Sequence, residues 1–328
     1  MFLMRFDLRA PGKSAEQRAD LYDAAIEMAA WAEDKGCASV VVSEHHASDD
    51  GYIPSPYVLA AAIAAVTKTV PISVAAAILP LYDPVRLAED IITLDHVSRG
   101  RVMHTLAIGY RPVEYELHGV DFKRRGVIAD EKLAIVLSHL RGTADGPKMT
   151  PEPFTPGGPT ICFGGGTPPA ARRAGRHGVG FIAQGGGPEL EEAYNAAAAE
   201  AGLEPVFCMV PPPDMPQSIM VNDDVDAGWA EVGESLLADA MPYFAWNQEA
   251  GLAAGTVSLT DAGTVDELRA ANGSHRVVTV AEAVELIRTY GMLGVQPLCG
   301  GLDPDIAWTY LRRLVDEVLP AAAVPAPA

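Results

Sequence analysis

Four consecutive residues, Ser43, Glu44, His45 and His46, close an apolar run that begins at Ala38. A short apolar run reads as a buried strand, so a carboxylate and two imidazoles at its end place groups that titrate near neutrality where a small molecule can reach them. Successive strand residues face opposite sides, so one of His45 and His46 faces the chemistry and the other supports it. The set suits general acid–base work. The same residues would equally make a polar cluster that holds the loop. A metal is not expected, because adjacent histidines chelate poorly and the familiar zinc spacing H-E-x-x-H is absent.

Other stretches add binding surface. The run Ile72 to Ile78 carries Ala75, Ala76 and Ala77, whose small side chains leave room for a flat ring against the strand. Arg101 to Ile108 ends in Gly109 and Tyr110; glycine lets a ligand approach the backbone, and the tyrosine adds a hydroxyl and a ring. After Thr160 to Phe163 come Gly164, Gly165, Gly166 and Thr167, then a helix bearing Arg172, Arg173 and Arg176. Unhindered amides at a helix start, with the Thr167 hydroxyl beside them, suit a phosphate. A second glycine turn, Gln184, Gly185, Gly186 and Gly187, follows the next apolar run and strengthens the case for a phosphorylated cofactor.

Strands alternating with helices position all of these groups. The strand-like runs are Met1–Leu8, Ala38–Ser43, Ile72–Ile78, Arg101–Ile108, Thr160–Phe163, Gly180–Gln184, Val206–Val210 with Ser218–Val221, and Gln296–Cys299. Helical spacing follows them over Ala15–Lys35, Tyr57–Thr67, Val85–Val97, Ile128–Arg141, Pro169–His177, Pro188–Ala201, a long amphipathic region to Trp246 with Val280–Tyr290, and Pro304–Leu319. Eight such units predict an α/β fold, a single (β/α)8 TIM barrel over residues 1–320, with insertions after strands 4 and 7 and a frayed tail over 321–328. Barrel enzymes carry their chemistry at the C-terminal ends of strands, where the groups above fall. The rival open doubly wound sheet wants G-x-G-x-x-G after its first strand, and the turn Arg9 to Ser14 holds only Gly12.

The chain has 328 residues with 24 basic and 43 acidic side chains, a net charge of −19. So acidic a surface disfavours nucleic acid and anionic membranes. No run of 18 apolar residues occurs, and Arg5, Asp7 and Arg9 stand where a signal peptide would be apolar, so the expected address is the cytoplasm. Cys37, Cys162, Cys208 and Cys299 are widely spaced and read as small buried apolar residues.

Together these stretches resemble the bacterial luciferase-like flavin monooxygenase family. The resemblance rests on Ser43–His46 with Gly51, Tyr52, Ser55 and Pro56, then Pro84–Asp90, Leu94, Asp95 and Ser98–Arg101. It continues through Gly109–Pro112, Glu114, Tyr115 and Gly119–Phe122, with weaker matches at Gly164–Thr167, Ala170–Ala174, Gly300 and Gly301. It is clear over about residues 38 to 185. The resemblance implies a (β/α)8 barrel using reduced FMN or the deazaflavin coenzyme F-420. It makes His45 the active-site histidine, a general base or hydrogen-bond donor beside the flavin, with Glu44 orienting it. It matches Ala75 and Ala76 to a strand bulge with a non-proline cis peptide that props the ring, and makes Gly165, Gly166 and Thr167 phosphate ligands. One departure is Ile108, where luciferase carries an arginine that contacts the phosphate; the phosphate then draws its charge from elsewhere, with Arg172 the candidate, or binds through amides alone.

The activity this implies is a two-component monooxygenase using reduced FMN, O2 and a small hydrophobic substrate, supplied by a separate flavin reductase and working as a homodimer. A deazaflavin-dependent hydride transferase on the same fold is the alternative. A non-catalytic flavin-binding barrel is a second.

Overall fold

Strands and helices alternate from Phe2 to Ala323 in the computed structural model, which describes residues 1–249 and 260–323. Packing divides these residues into two units. One comprises Met1–Val41, Ser48–Ile53 and the described part of 214–328; the other comprises Val42–Ala47 and Pro54–Pro213.

In the second unit the strands β3 (Ile72–Ile78), β4 (Val102–Ala107), β5 (Thr160–Gly164), β6 (Gly180–Ile182) and β7 (Cys208–Met209) lie side by side in sequence order, all parallel. Between them run α2 (Pro56–Val66), α3 (Pro84–Ser98), α4 (Pro112–Leu117), α5 (Arg125–Leu140), α6 (Pro168–His177) and α7 (Pro188–Glu200). Parallel strands need crossover connections that cover the sheet, and their residues are accordingly buried in nearly continuous runs, with Val74, Ala77, Leu106, Phe163 and Phe181 sealed from solvent.

Local sequence sets the helix ends. Asp83 accepts from the amides of Val85 and Arg86, Pro84 occupies the first helical position, and Arg99 ends α3 in the left-handed conformation. Leu87, Ala88, Ile91 and Ile92 form the buried face of α3. Helices α6 and α7 approach closely through small residues. A Cβ on Gly175 would lie 2.4 Å from the Tyr194 carbonyl oxygen, so that position admits glycine only.

In the first unit the strand order is β10-β1-β2, with β1 (Phe2–Phe6), β2 (Cys37–Val42, its last residue counted in the other unit) and β10 (Leu293–Val295); β1 and β10 are parallel. A separate parallel pair joins β8 (Ser218–Val221) and β9 (His275–Val278). Helices α1 (Ala15–Ala32), α8 (Val225–Glu249), α9 (Val265–Ala271), α10 (Val280–Tyr290), α11 (Pro304–Arg313) and α12 (Leu319–Ala323) complete this unit. Its core holds Phe2, Met4, Met28, Ala29, Val40, Val232, Leu236 and Val318.

The architecture is α/β with ten strands among the described residues, two of them in the separate β8–β9 pair, and several boundaries differ from the sequence reading. The last strand is Leu293–Val295 and not Gln296–Cys299. Pro297 has no N–H for a ladder, and the Cys299 amide turns back to the Gln296 carbonyl. The expected run Val206–Val210 shrinks to two strand residues, while Ser218–Val221 pairs with β9, which the sequence reading left unassigned. Of the expected frayed tail, residues 321–323 belong to α12 and residues 324–328 lie outside the described ones. Three of the four cysteines are buried, and Cys208 is half-buried.

Candidate active site

The end of β2 and the loop after it bring Ser43, Glu44 and His45 into the second unit, each less than a tenth exposed. β2 ends at Val42, so Ser43–His46 lie in the loop beyond it, and Glu44 and His45 turn to different partners. Glu44 Oε1 accepts from His46 Nε2 at 2.6 Å, and Oε2 accepts from the Ile78 amide and the Tyr82 hydroxyl, both at 2.9 Å. Glu44 therefore ties the end of β2 to the end of β3. The carboxylate that meets His45 is a different one. His45 Nδ1 lies 2.7 Å from Oε1 of Glu114, on α4, and this corrects the expectation that Glu44 orients His45.

Glu114 Oε1 also accepts from the His46 amide at 2.9 Å and lies 3.5 Å from Arg111 Nη1. Burial opposes the Glu114 charge, but the bonds from His45 and the His46 amide and the nearby guanidinium outweigh it, holding the carboxyl below its usual range. Its second oxygen, Oε2, is buried and has no hydrogen-bond partner among the described residues. Arg111 Nη1 further donates to the His46 carbonyl at 2.7 Å. On the other edge of the His45 ring, Nε2 lies 3.3 Å from the Tyr110 hydroxyl, and the two rings meet edge to face. A carboxylate only accepts, so Nδ1 carries the proton in its bond and Nε2 of the neutral ring accepts from Tyr110.

Tyr110 reaches this position because the chain turns at Gly109, whose φ is +65°; a Cβ there would also lie 2.7 Å from Ile78 Cγ2. Tyr115 pins the same turn by donating its hydroxyl to the Ile108 carbonyl. Lys132 holds the loop after β3 through the carbonyls of Pro80 and Tyr82, at 2.7 and 2.6 Å.

In β3 the Ala75–Ala76 peptide is cis, and the register against β4 shifts between Ala75 and Ala77. Ala75 and Ala76 are partly exposed although Val74 and Ala77 on either side are sealed. Ala107 at the end of β4, Ile108 and Gly109 after it, and Gly165 and Gly166 after β5 are likewise partly exposed. Beside Ala75 in register, the Thr105 hydroxyl oxygen is buried and has no hydrogen-bond partner among the described residues. Small side chains, a bulge and an orphaned hydroxyl fit a planar ring laid on this strand end.

The glycine turns are closer to each other than their sequence separation suggests, since the Gln184 amide donates to the Gly165 carbonyl at 3.4 Å. Their supply of donors is smaller than expected. Gly164 lies within β5, the Gly165 amide donates to Ile182, and α6 begins with Pro168 and Pro169, which have no N–H. The amides of Gly166 and Thr167 and the exposed Thr167 hydroxyl are what the turn offers an anion. At the second turn the Gly187 amide is taken by Glu189, at 3.0 Å. Arg173 turns inward to Asp130 at 2.8 Å, whereas Arg172 is exposed.

A second polar cluster lies in the first unit. Arg9, sealed from solvent, pairs with Asp7 Oδ2 at 2.9 Å and with Asp239, and its guanidinium lies over the rings of Tyr243 and Tyr52 at 4.6 and 5.2 Å. Gln296 bridges Asp7 and Asp239, and His275 Nε2 lies 2.6 Å from Asp239 Oδ2. Burial opposes the Asp239 charge, but Arg9 and His275 outweigh it and hold its carboxyl far below the usual range. Cys299 brings its sulfur within 4.8 Å of the Asp239 and His275 ligating atoms, but both Asp239 oxygens already serve this ion-pair network.

Sequence reasoning missed Glu114 and Arg111 as partners of the histidine segment, and Tyr82 as a partner of Glu44. Arg111 and Glu114 stood among the residues that carry the family resemblance, but nothing local tied them to His45 or His46.

The family model for luciferase-like monooxygenases matches residues 3–288. The chain belongs to that family. Among curated family relatives, the alkanal monooxygenase alpha chain of Photorhabdus luminescens is 30% identical over 105 residues, 32% of this chain and 29% of that one. The chain spans about a third of the length of the first curated relatives it matches. The oxygenating constituent of 3,6-diketocamphane monooxygenase from Pseudomonas putida, solved with FMN, superposes with a TM-score of 0.68 at 21% identity, covering 99% of both chains. An F-420-dependent secondary alcohol dehydrogenase, solved with an F-420–acetone adduct, superposes with a TM-score of 0.65 at 17% identity, covering 97% of this chain and 98% of the other. At such identities the likeness is one of fold, and it is the fold of a family of enzymes. No described helix is long and apolar enough to cross a membrane.

Proposed function

We propose that this chain is the oxygenating component of a two-component flavin monooxygenase, acting on a small hydrophobic substrate with reduced FMN delivered by a separate reductase. The observation that carries the reading is the buried Glu114–His45–Tyr110 line beside the bulged, small-residue stretch of β3. Ala75, Ala76, Gly109 and Tyr110 would hold the ring. Gly164, Gly165, Gly166 and Thr167, with Gln184 and Gly185 behind them, would shape the phosphate end. Arg172 is the nearest uncommitted charge on α6. Reduced FMN supplies two electrons to O2, one oxygen atom going to the substrate and the other leaving as water.

The residues divide the remaining work. His45 Nε2 accepts or returns a proton at the ligand side, with Tyr110 as its hydrogen-bonding neighbour. Glu44 fixes the end of β2 against β3, so the imidazole does not drift from the ring. In this reading residues 1–320 form one closed (β/α)8 barrel with insertions after its fourth and seventh strands. The family's habit of pairing through a helix face makes a cytoplasmic homodimer part of it.

A hydride transferase using F-420 is the second reading, favoured by the fold likeness to the secondary alcohol dehydrogenase and by Ile108 in place of a phosphate-binding arginine. Titration of the purified chain with FMN, reduced FMN and F-420 separates the two. Tighter binding of reduced FMN, with an oxygen atom from labelled O2 appearing in a product, is the expected result; preference for F-420 with no oxygen uptake would overturn the first reading.

A further inference from the structure

His45 has its two ring nitrogens in unlike surroundings, and one buried oxygen arranges both the ring and its backbone. Oε1 of Glu114 meets Nδ1 at 2.7 Å and the amide of the next residue, His46, at 2.9 Å. The ring and the turn that carries it are thus fixed to the same atom. Arg111 closes the assembly by donating to the His46 carbonyl at 2.7 Å while lying 3.5 Å from that oxygen. Glu114 is sealed from solvent and its other oxygen has no partner, so its charge is answered chiefly by His45 and Arg111.

We propose that Glu114 is the positioning residue of this site: it holds His45 as the Nδ1–H tautomer and aims Nε2 at Tyr110. The proposal rests on the reading of His45 as the reacting imidazole. One physical argument supports it: a carboxylate in hydrogen-bond contact with one ring nitrogen determines which nitrogen keeps the proton, and so leaves the other with its lone pair. The other charged and titratable groups near His45 are committed elsewhere. Glu44 bonds to His46, Ile78 and Tyr82; the His118 ring lies edge-on to His46; Tyr110 is on the opposite ring edge; and Arg111 opposes Glu114 only in part, since it also holds main-chain carbonyls.

The test uses the full chain labelled with nitrogen-15 at its histidines, without flavin, the His45 signal being assigned by its loss in His45→Gln. The expected spectrum shows His45 as the Nδ1–H tautomer in the native chain and in Glu114→Gln, whose amide oxygen still accepts, and a mixture of tautomers in Glu114→Leu. In turnover with a reductase, Glu114→Gln, which keeps the accepting oxygen, should stay near the native kcat/KM, and Glu114→Leu should lower kcat/KM by roughly 10²-fold. An Nε2–H ring in the native chain would overturn the proposal even if neither variant folds. So would a Glu114→Leu protein with the native tautomer and native kcat/KM. A tautomer that changes in Glu114→Leu while turnover does not would leave Glu114's hold on the ring intact and remove His45 from the reaction, so the two readings fail separately.

Discussion

At the scale of single residues, the site assigns opposite protonation duties to two buried histidines. His45 faces a carboxylate and a phenol, and the proposed role predicts that His45→Ala slows turnover by about 10²-fold or more while changing FMN affinity little, because the imidazole contributes proton transfer and not ring contact area. Stopped-flow turnover alongside flavin titration measures both, and unaltered turnover would end the assignment. His104 is the contrast. It lies fully buried on β4, stacked on the Tyr57 ring, with neither ring nitrogen hydrogen-bonded among the described residues. Burial pushes its imidazole from the ordinary 6.5 down to about 3. The unfolded chain therefore binds a proton that the folded one refuses. Its contribution is intact above pH 6.5 and is lost as pH falls toward 3, at up to about 1.4 kcal/mol per pH unit. Urea unfolding of His104→Phe, which keeps the stack, should fall less steeply than the parent across that window; equal slopes would refute the account.

Among the elements, the contact of α6 with α7 is sterically tight at Gly175. Replacing Gly175 by alanine improves helix propensity by about 1 kcal/mol, but the new methyl would lie 2.4 Å from the Tyr194 carbonyl. Overpacking of this kind costs roughly 1–3 kcal/mol and forces the helices apart. The net expectation is a less stable protein, by about 1 kcal/mol, in a denaturant titration, and a gain in stability would show that the helices have slack. The start of α6 is a second case. Its two prolines leave only the Gly166 and Thr167 amides and the Thr167 hydroxyl facing an anion. Thr167→Val should then weaken FMN binding by roughly tenfold or more, about the worth of one hydrogen bond to a charged group, while leaving riboflavin binding nearly the same; equal loss for both ligands would move the phosphate elsewhere.

At the scale of the first unit as a whole, Asp239 joins segments far apart in sequence. It meets Arg9 after β1, His275 on β9 and Gln296 after β10. Removing one member of a buried ion network leaves an unanswered charge, and Asp239→Ala is expected to cost about 3 kcal/mol. Asp7 remains to balance Arg9 in part, which places the loss at the lower end of the usual range. Calorimetry or denaturant unfolding reads it directly, and a change under 1 kcal/mol would mean that Arg9 finds another partner.

The strand–helix alternation, the chemistry-bearing end of β2 and the small residues of β3 were all legible in the residues themselves. Hydrophobic runs and glycine turns are local signals, so Gly109 and the Gly164–Thr167 turn declared themselves without a fold. The last strand was misplaced because Gln296–Cys299 looks apolar on a local scale, whereas a strand needs a ladder that Pro297 cannot supply. The partner of His45 was hidden for a different reason. Glu44 adjoins it in sequence but bonds to His46, Ile78 and Tyr82, while Glu114, 69 positions away, comes from α4. The pairing of Arg9 with Asp239 spans 230 positions and was equally out of reach. Side-chain identity and spacing determine which elements form and which groups they present. Which two groups share a proton depends on distances across the sheet, and only packing sets those.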